Sequence, residues 1–178
     1  MTENMKKILS LLVASAVVLS CSVLGSDDVI YDIAPINPYI YVYDSDGRNL
    51  LSPGVSGEES FDVGRVTATW QGNTYNVEEA DGGYSWDVST KAYLPYFFGL
   101  RLEKDRYGKC MFSFGELDGA ADFDNEDLVI NWGDGTSDTV TVFNKFKWNA
   151  DGSPSITRRF YVNGQKQDSD IAVFTFVK

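Results

Sequence analysis

From Tyr39 to Val177 no stretch of ten residues repeats its apolar side chains at the 3.6-residue spacing of a helix. Short runs rich in Val, Ile, Thr, Phe, Tyr and Trp stand there instead, punctuated by Gly, Asn and Asp. Such side chains suit a pleated, half-buried surface, and turn signals about every 8–12 residues fit strands rather than helices. YIYVYD, RVTATW, NTYNVE, YSWDV, YLPYFFGLRLE, YGKCMFSFGEL, DLVINW, DTVTVFNKFKW, ITRRFYV and IAVFTFV are the candidate strands. This cadence predicts an all-β fold, an antiparallel β-sandwich of immunoglobulin-like or related type.

Local signals place several hairpins. Gln71-Gly72 joins RVTATW to NTYNVE, Lys104 to Arg106 lie between YLPYFFGLRLE and YGKCMFSFGEL, and Gly133-Asp134-Gly135 follows DLVINW. Asn163-Gly164 after ITRRFYV supplies the two positive-φ positions that a tight hairpin demands. IAVFTFV is apolar on both alternating faces, which predicts a central strand covered on both sides. Pro95 inside YLPYFF predicts an edge, a bulge or a break.

The front of the chain reads differently. Lys6 and Lys7 precede an apolar and small-residue run from Ile8 to Leu19. A basic start and an apolar segment of roughly 7–15 residues mark a secretory signal. A membrane span needs roughly 18 or more apolar residues. Val18-Leu19-Ser20-Cys21 resembles a bacterial lipobox, in which the signal is cut before a cysteine that is then acylated. The expected division is therefore residues 1–20 as a lipoprotein signal peptide, 21–38 as an acidic tether and 39–178 as the sandwich domain. Acyl chains on Cys21 make the membrane a partner, each buried CH₂ contributing about 0.8 kcal/mol. The competing reading is a secreted protein with Cys21 as a disulfide partner.

Composition removes several chemistries. The 178 residues include no His and only two Cys, with 26 acidic against 15 basic side chains and a formal charge of −11. Triads built on imidazole, zinc sites that use imidazole, structural zinc sites and a disulfide framework are excluded. A surface of this sign repels phosphates, so no nucleic-acid partner is expected. Cys110, in KCMFSF, reads as a buried inert thiol. No phosphate-binding glycine motif is present, and no cofactor is expected.

Carboxylates are the remaining chemistry. Asp122, Asp124, Glu126, Asp127, Asp134 and Asp138 crowd DFDNEDLVINWGDGTSD, and hard cations such as calcium take clustered oxygens. Asp127 stands where a calcium loop needs its glycine, and no closing glutamate follows, so a solvated acidic loop without metal is expected. WGDGTSD resembles the turn of PKD-type sandwich domains; as a tight turn with Asp-Gly at positive φ, it is expected to have Asp134 or Asp138 accepting backbone N–H groups. Asp44 and Asp46 in DSDGRNLL read as turn residues for the same reason. Paired carboxylates also serve glycosidases, but no pair stands out, and no catalytic residue is assigned. Trp70, Trp86, Trp132 and Trp148, with ten tyrosines, suit either a core or a platform for sugar rings. YLPYFFGLR is the densest aromatic cluster.

The lipobox at Cys21, VYDSDGRNLL, YFFGLRL, FGELDG, LVINWGDGTSDTV and RRFYVNGQ together resemble a family of small lipoproteins from Bacteroides-type gut bacteria. That resemblance implies export, lipid anchoring and a β-rich body. Ser26-Asp27-Asp28 is similar to the acidic tag that sends such lipoproteins to the outer face. The expectation is an outer-membrane lipoprotein, periplasmic or surface-exposed, that is not an enzyme and binds a glycan or protein ligand. The alternatives are an assembly subunit using strand addition and a carboxylate-dependent glycoside hydrolase.

Overall fold

The computed structural model describes residues 31–53, 61–79 and 97–178. Contacts divide the chain into Met1–Tyr31 and Asp32–Lys178, and the second unit carries the strands described here. Residues 1–20, Cys21, Ser26-Asp27-Asp28, YSWDV with Trp86, and Pro95 lie outside the described residues.

The described body is all-β, its only helical element being the 3₁₀ turn Val63–Arg65. β1 (Tyr39–Tyr43) alternates half-buried tyrosines with buried Ile40 and Val42. β2 (Thr67–Trp70) and β3 (Asn73–Glu79) form the hairpin expected at Gln71-Gly72. Both turn residues have positive φ, +47° and +80°, the backbone that matches the twist of the flanking strands. β4 (Leu100–Lys104) and β5 (Cys110–Phe114) form the next hairpin. β6 (Phe123–Asn131), β7 (Ser137–Trp148) and β8 (Pro154–Val162) make a three-stranded meander. The Asn163-Gly164 turn leads to a two-residue β9 (Gln165–Lys166), and β10 (Val173–Val177) follows.

These strands join in the order β10-β1-β5-β4-β3-β2-β6-β7-β8-β9. The pairing is not purely antiparallel, as the sequence reading expected: β1 runs parallel to β10, and β3 parallel to β4. Parallel neighbours need a long connection between them, and both of these pairs are far apart in sequence. The sheet curls so that its flanks meet inside. Phe174 on β10 approaches Phe160 on β8 with ring centroids 5.5 Å apart, and Phe176 lies 5.4 Å from Trp132. Phe112, Phe114, Leu100, Leu128, Ile130 and Val142 fill the space between. Burying each such side chain contributes about 1.5–3 kcal/mol.

β10 is not the covered central strand that its sequence suggested. It ends the sheet order, and Val173 and Val177 are 47% and 65% exposed. Among the described strands β5 is the one buried on both faces, with Met111 and Ser113 buried as well as Phe112 and Phe114. The packed body also begins before Tyr39: Ile36 is buried and its N–H donates to the Leu117 carbonyl at 2.9 Å.

The strand expected at DLVINW is present and begins further upstream, at Phe123, inside the segment read as an acidic loop. An extra residue at Asn125, φ +60°, breaks the register between Phe123 and Glu126. Such a bulge shifts side-chain parity by one. Phe123 upstream and Leu128 and Ile130 downstream therefore all face the core.

Candidate functional site

The β7–β8 hairpin is the longest element of the body, and its far end runs past the strand beside it. Pairing between β6 and β7 stops at Phe123 and Asn144, whereas β7 and β8 stay paired to Trp148 and Pro154. Asp122 closes the end of the β6–β7 ladder: its carboxylate accepts the Phe146 N–H at 2.9 Å and the Lys145 ammonium at 3.1 Å. The distal turn is tied by the Asn149 N–H to the Ser153 carbonyl, 2.8 Å, and by Asp151 accepting from Ser153.

Register places Phe146, Trp148, Pro154 and Ile156 on the same side of this ribbon as the core residues Val140 and Val142. Past the core this side is uncovered enough to leave Trp148 56% and Ile156 43% exposed. Phe146 and Trp148 meet edge to face, 5.2 Å and 87°. Between this apolar end and the core lies a polar step. Buried Asn144 donates to the carbonyls of Gly119 and Ala121 and accepts from Arg158 Nε at 3.1 Å. Burial lowers the Arg158 pKa and nearby Asp170 opposes that; a guanidinium stays protonated regardless. The other side of the ribbon is charged, with Lys145, Lys147 and Arg159, whose guanidinium sits 3.9 Å over the Phe143 ring. The arrangement can stack a flat ring against aromatic surface, with a cation recessed behind it.

The tryptophans thus divide. Trp70 and Trp132 are each 3% exposed and belong to the core, while Trp148 is surface. Of the aromatic cluster YLPYFFGLR, Phe97 is 43% exposed and the Arg101 guanidinium lies 4.6 Å from the Phe98 ring. Cys110 is buried.

The acidic residues hold backbone. Asp44 accepts the N–H groups of Asp46 and Arg48, which pull its carboxyl below the ordinary range together with the Arg48 guanidinium at 2.6 Å. Asp134 accepts the Thr136 hydroxyl and N–H, both at 2.7 Å, and is lowered by them. Asp127 accepts the Thr141 hydroxyl. Asp138 is pushed up by burial, but donations from Lys178, Asn163 and Trp132 outweigh that and lower it. Asp122 is lowered by the Phe146 N–H and Lys145. Among the described residues no group of three His, Cys, Asp or Glu side chains is placed to hold a metal ion.

Sequence reasoning missed a recurring turn. Asp44 to Arg48, Asp105 to Lys109 and Asn149 to Ser153 share one geometry. In each, the first N–H donates to the fifth carbonyl and a glycine N–H returns to the first carbonyl, with glycine φ of +79°, +78° and +81°. The signal was available as Asp or Asn followed three residues later by Gly.

Compared with protein-family profiles, curated proteins and solved structures, the chain finds no match.

Proposed function

We propose that this chain is a lipid-anchored, outer-membrane lipoprotein of the Bacteroides type, tethered by Cys21, whose β body binds a glycan without catalysis. The observation that carries the binding reading is the exposed Trp148 beside Phe146 at the overhanging end of β7–β8. An exposed aromatic ring offers large contact area at little conformational cost, which suits sugar rings. The finer architecture belongs to the same proposal: the flanks of the curled sheet act as the two layers of an immunoglobulin-like sandwich, supported by the Phe160–Phe174 and Trp132–Phe176 contacts between them.

Binding is favoured over hydrolysis by the carboxylates. A general acid needs a raised pKa, and Asp44, Asp105, Asp122, Asp134, Asp138 and Asp151 are all displaced downward.

Two measurements test the proposal. Cys21→Ala should move the protein from the membrane fraction to the soluble fraction; retention in the membrane defeats the anchor. Electrophoresis through gels containing soluble polysaccharides should show retardation by at least one of them, lost in Trp148→Ala. Equal mobility of both proteins across a broad polysaccharide panel defeats glycan binding at this end.

A further inference from the structure

We infer that β10 is a self-association edge, on which a second copy of this chain pairs antiparallel about a twofold axis passing at Thr175. Three observations converge on it.

The first is an open ladder. Among the described residues β10 pairs only with β1. The Ala172 carbonyl accepts from Tyr39 N–H at 2.8 Å, and the Lys178 N–H donates to the Tyr43 carbonyl at 2.9 Å. Alternation along the strand then aims the N–H and C=O of Val173, Thr175 and Val177 away from β1. The Val173 N–H is taken locally by the Ile171 carbonyl at 2.9 Å; the outward groups of Thr175 and Val177 are left for a neighbour.

The second is the absence of the usual defences. Natural edges carry charge, proline or bulges that block pairing. The opposite flank of this sheet is so equipped, with Pro154, Arg159 and Lys166 on β8 and β9. β10 carries none, and its outer side chains Val173 and Val177 are exposed beside Ile171, itself 66% exposed.

The third names the occupant. Val173-Phe174-Thr175-Phe176-Val177 reads the same in both directions. An antiparallel pair about Thr175 places Thr opposite Thr, Phe opposite Phe and Val opposite Val. Matched aromatic, β-branched and threonine pairs each stabilise a sheet. A twofold antiparallel contact opposes residues equidistant from its axis, and in this segment every such pair is matched in kind. Phe174 and Phe176 stay on the core side, where they are already 3% and 6% exposed.

Charge opposes the contact at long range, since each copy carries −11. The paired segment itself has no charged side chain, and salt screens the remainder over about 8 Å at physiological ionic strength. Association should therefore tighten as salt rises, the reverse of docking onto a basic partner.

Sedimentation equilibrium of the full chain in nonionic detergent tests the inference. The expected result is a monomer–dimer equilibrium that shifts toward dimer between low and high salt. Thr175→Pro removes only an N–H that points away from β1, and should weaken the dimer about thirtyfold through the two symmetry-related hydrogen bonds it deletes. Val177→Lys, which leaves the backbone intact, should weaken it also. In a Cys21→Ala background, Thr175→Cys should form a disulfide dimer under mild oxidation, because directly opposed strand residues lie about 5.5 Å apart, within bridging range. A monomer at every salt concentration, a dimer indifferent to Thr175→Pro and Val177→Lys, or failure of Thr175→Cys to cross-link would overturn the inference.

Discussion

Trp132 Nε1 donates to Asp138 Oδ2 at 2.7 Å across the turn between β6 and β7, and the same oxygen receives the Lys178 ammonium at 2.5 Å. The other carboxylate oxygen accepts from Asn163 Nδ2 at 2.7 Å. One side chain thus joins the β6–β7 turn, the β8–β9 turn and the residue after β10. Lys178 also lies 4.6 Å over the Trp132 ring, so the ammonium is held by a carboxylate and an aromatic face together.

Asp138→Ala should cost about 2–3 kcal/mol in denaturant unfolding, because it removes charge-assisted bonds and leaves donors unpaired. The folded carboxyl titrates below its ordinary value. Its contribution is therefore complete above the unfolded carboxylate pKa and is lost as pH falls through the folded value. Stability measured across the acid range should fall less steeply in Asp138→Asn than in the parent.

Tyr41 donates to Asp105 at 2.9 Å, and burial, then this bond and the nearby negative charge, push its pKa from 10.0 up to about 12. A raised acid favours the protonated folded form. Its contribution is present below pH 10 and lost toward pH 12. Burial also raises Tyr75, so ultraviolet titration should show more than one tyrosine ionising late, and Tyr41→Phe should remove the latest step and soften the alkaline loss of stability.

Two tryptophans on one sheet should respond unequally to truncation. Trp70, packed edge-on against Phe114 and Phe123, should cost about 3–5 kcal/mol as Trp70→Ala. Trp148→Ala should stay within about 1 kcal/mol, as exposed positions do. A comparably large loss at Trp148 would mean that the hairpin end is packing, not surface.

A methyl group at Gly119 would stand 1.9 Å from the Ala34 carbonyl oxygen. Backbone cannot yield as a flexible side chain does. Gly119→Ala should therefore lower stability by about 2 kcal/mol or more, and should raise protease cleavage in the segment from Ile33 to Pro38, which lies against it.

Local chemistry made the hairpins readable. Gln71-Gly72 and Asn163-Gly164 announce positive-φ pairs, and the structure uses them so. Long-range partnership was not readable. Nothing in IAVFTFV distinguishes a strand covered on both sides from an edge strand, because both are apolar throughout; only the pairing to Tyr39–Tyr43 decides. The acidic run misled for a different reason. Its carboxylates suggested solvent upstream of DLVINW, yet the strand reaches back to Phe123, and the parity shift at Asn125 turns Phe123 inward with Leu128 and Ile130 while Asp124 and Asp127 stay exposed. Exposure of Trp148 followed from a mismatch in strand lengths, β7 outrunning β6 by several pairs, which composition does not encode.

The parallel clasp of β1 with β10 bears on the order of events during synthesis. β1 lies between β5 and β10, both made after it, so a nascent chain that stops short of Val173 has Ile40 and Val42 committed to a wall that is not yet there. Such a molecule cannot complete its sheet until its tail has been made, because the pairing of Tyr39–Tyr43 with Val173–Val177 spans nearly the whole body.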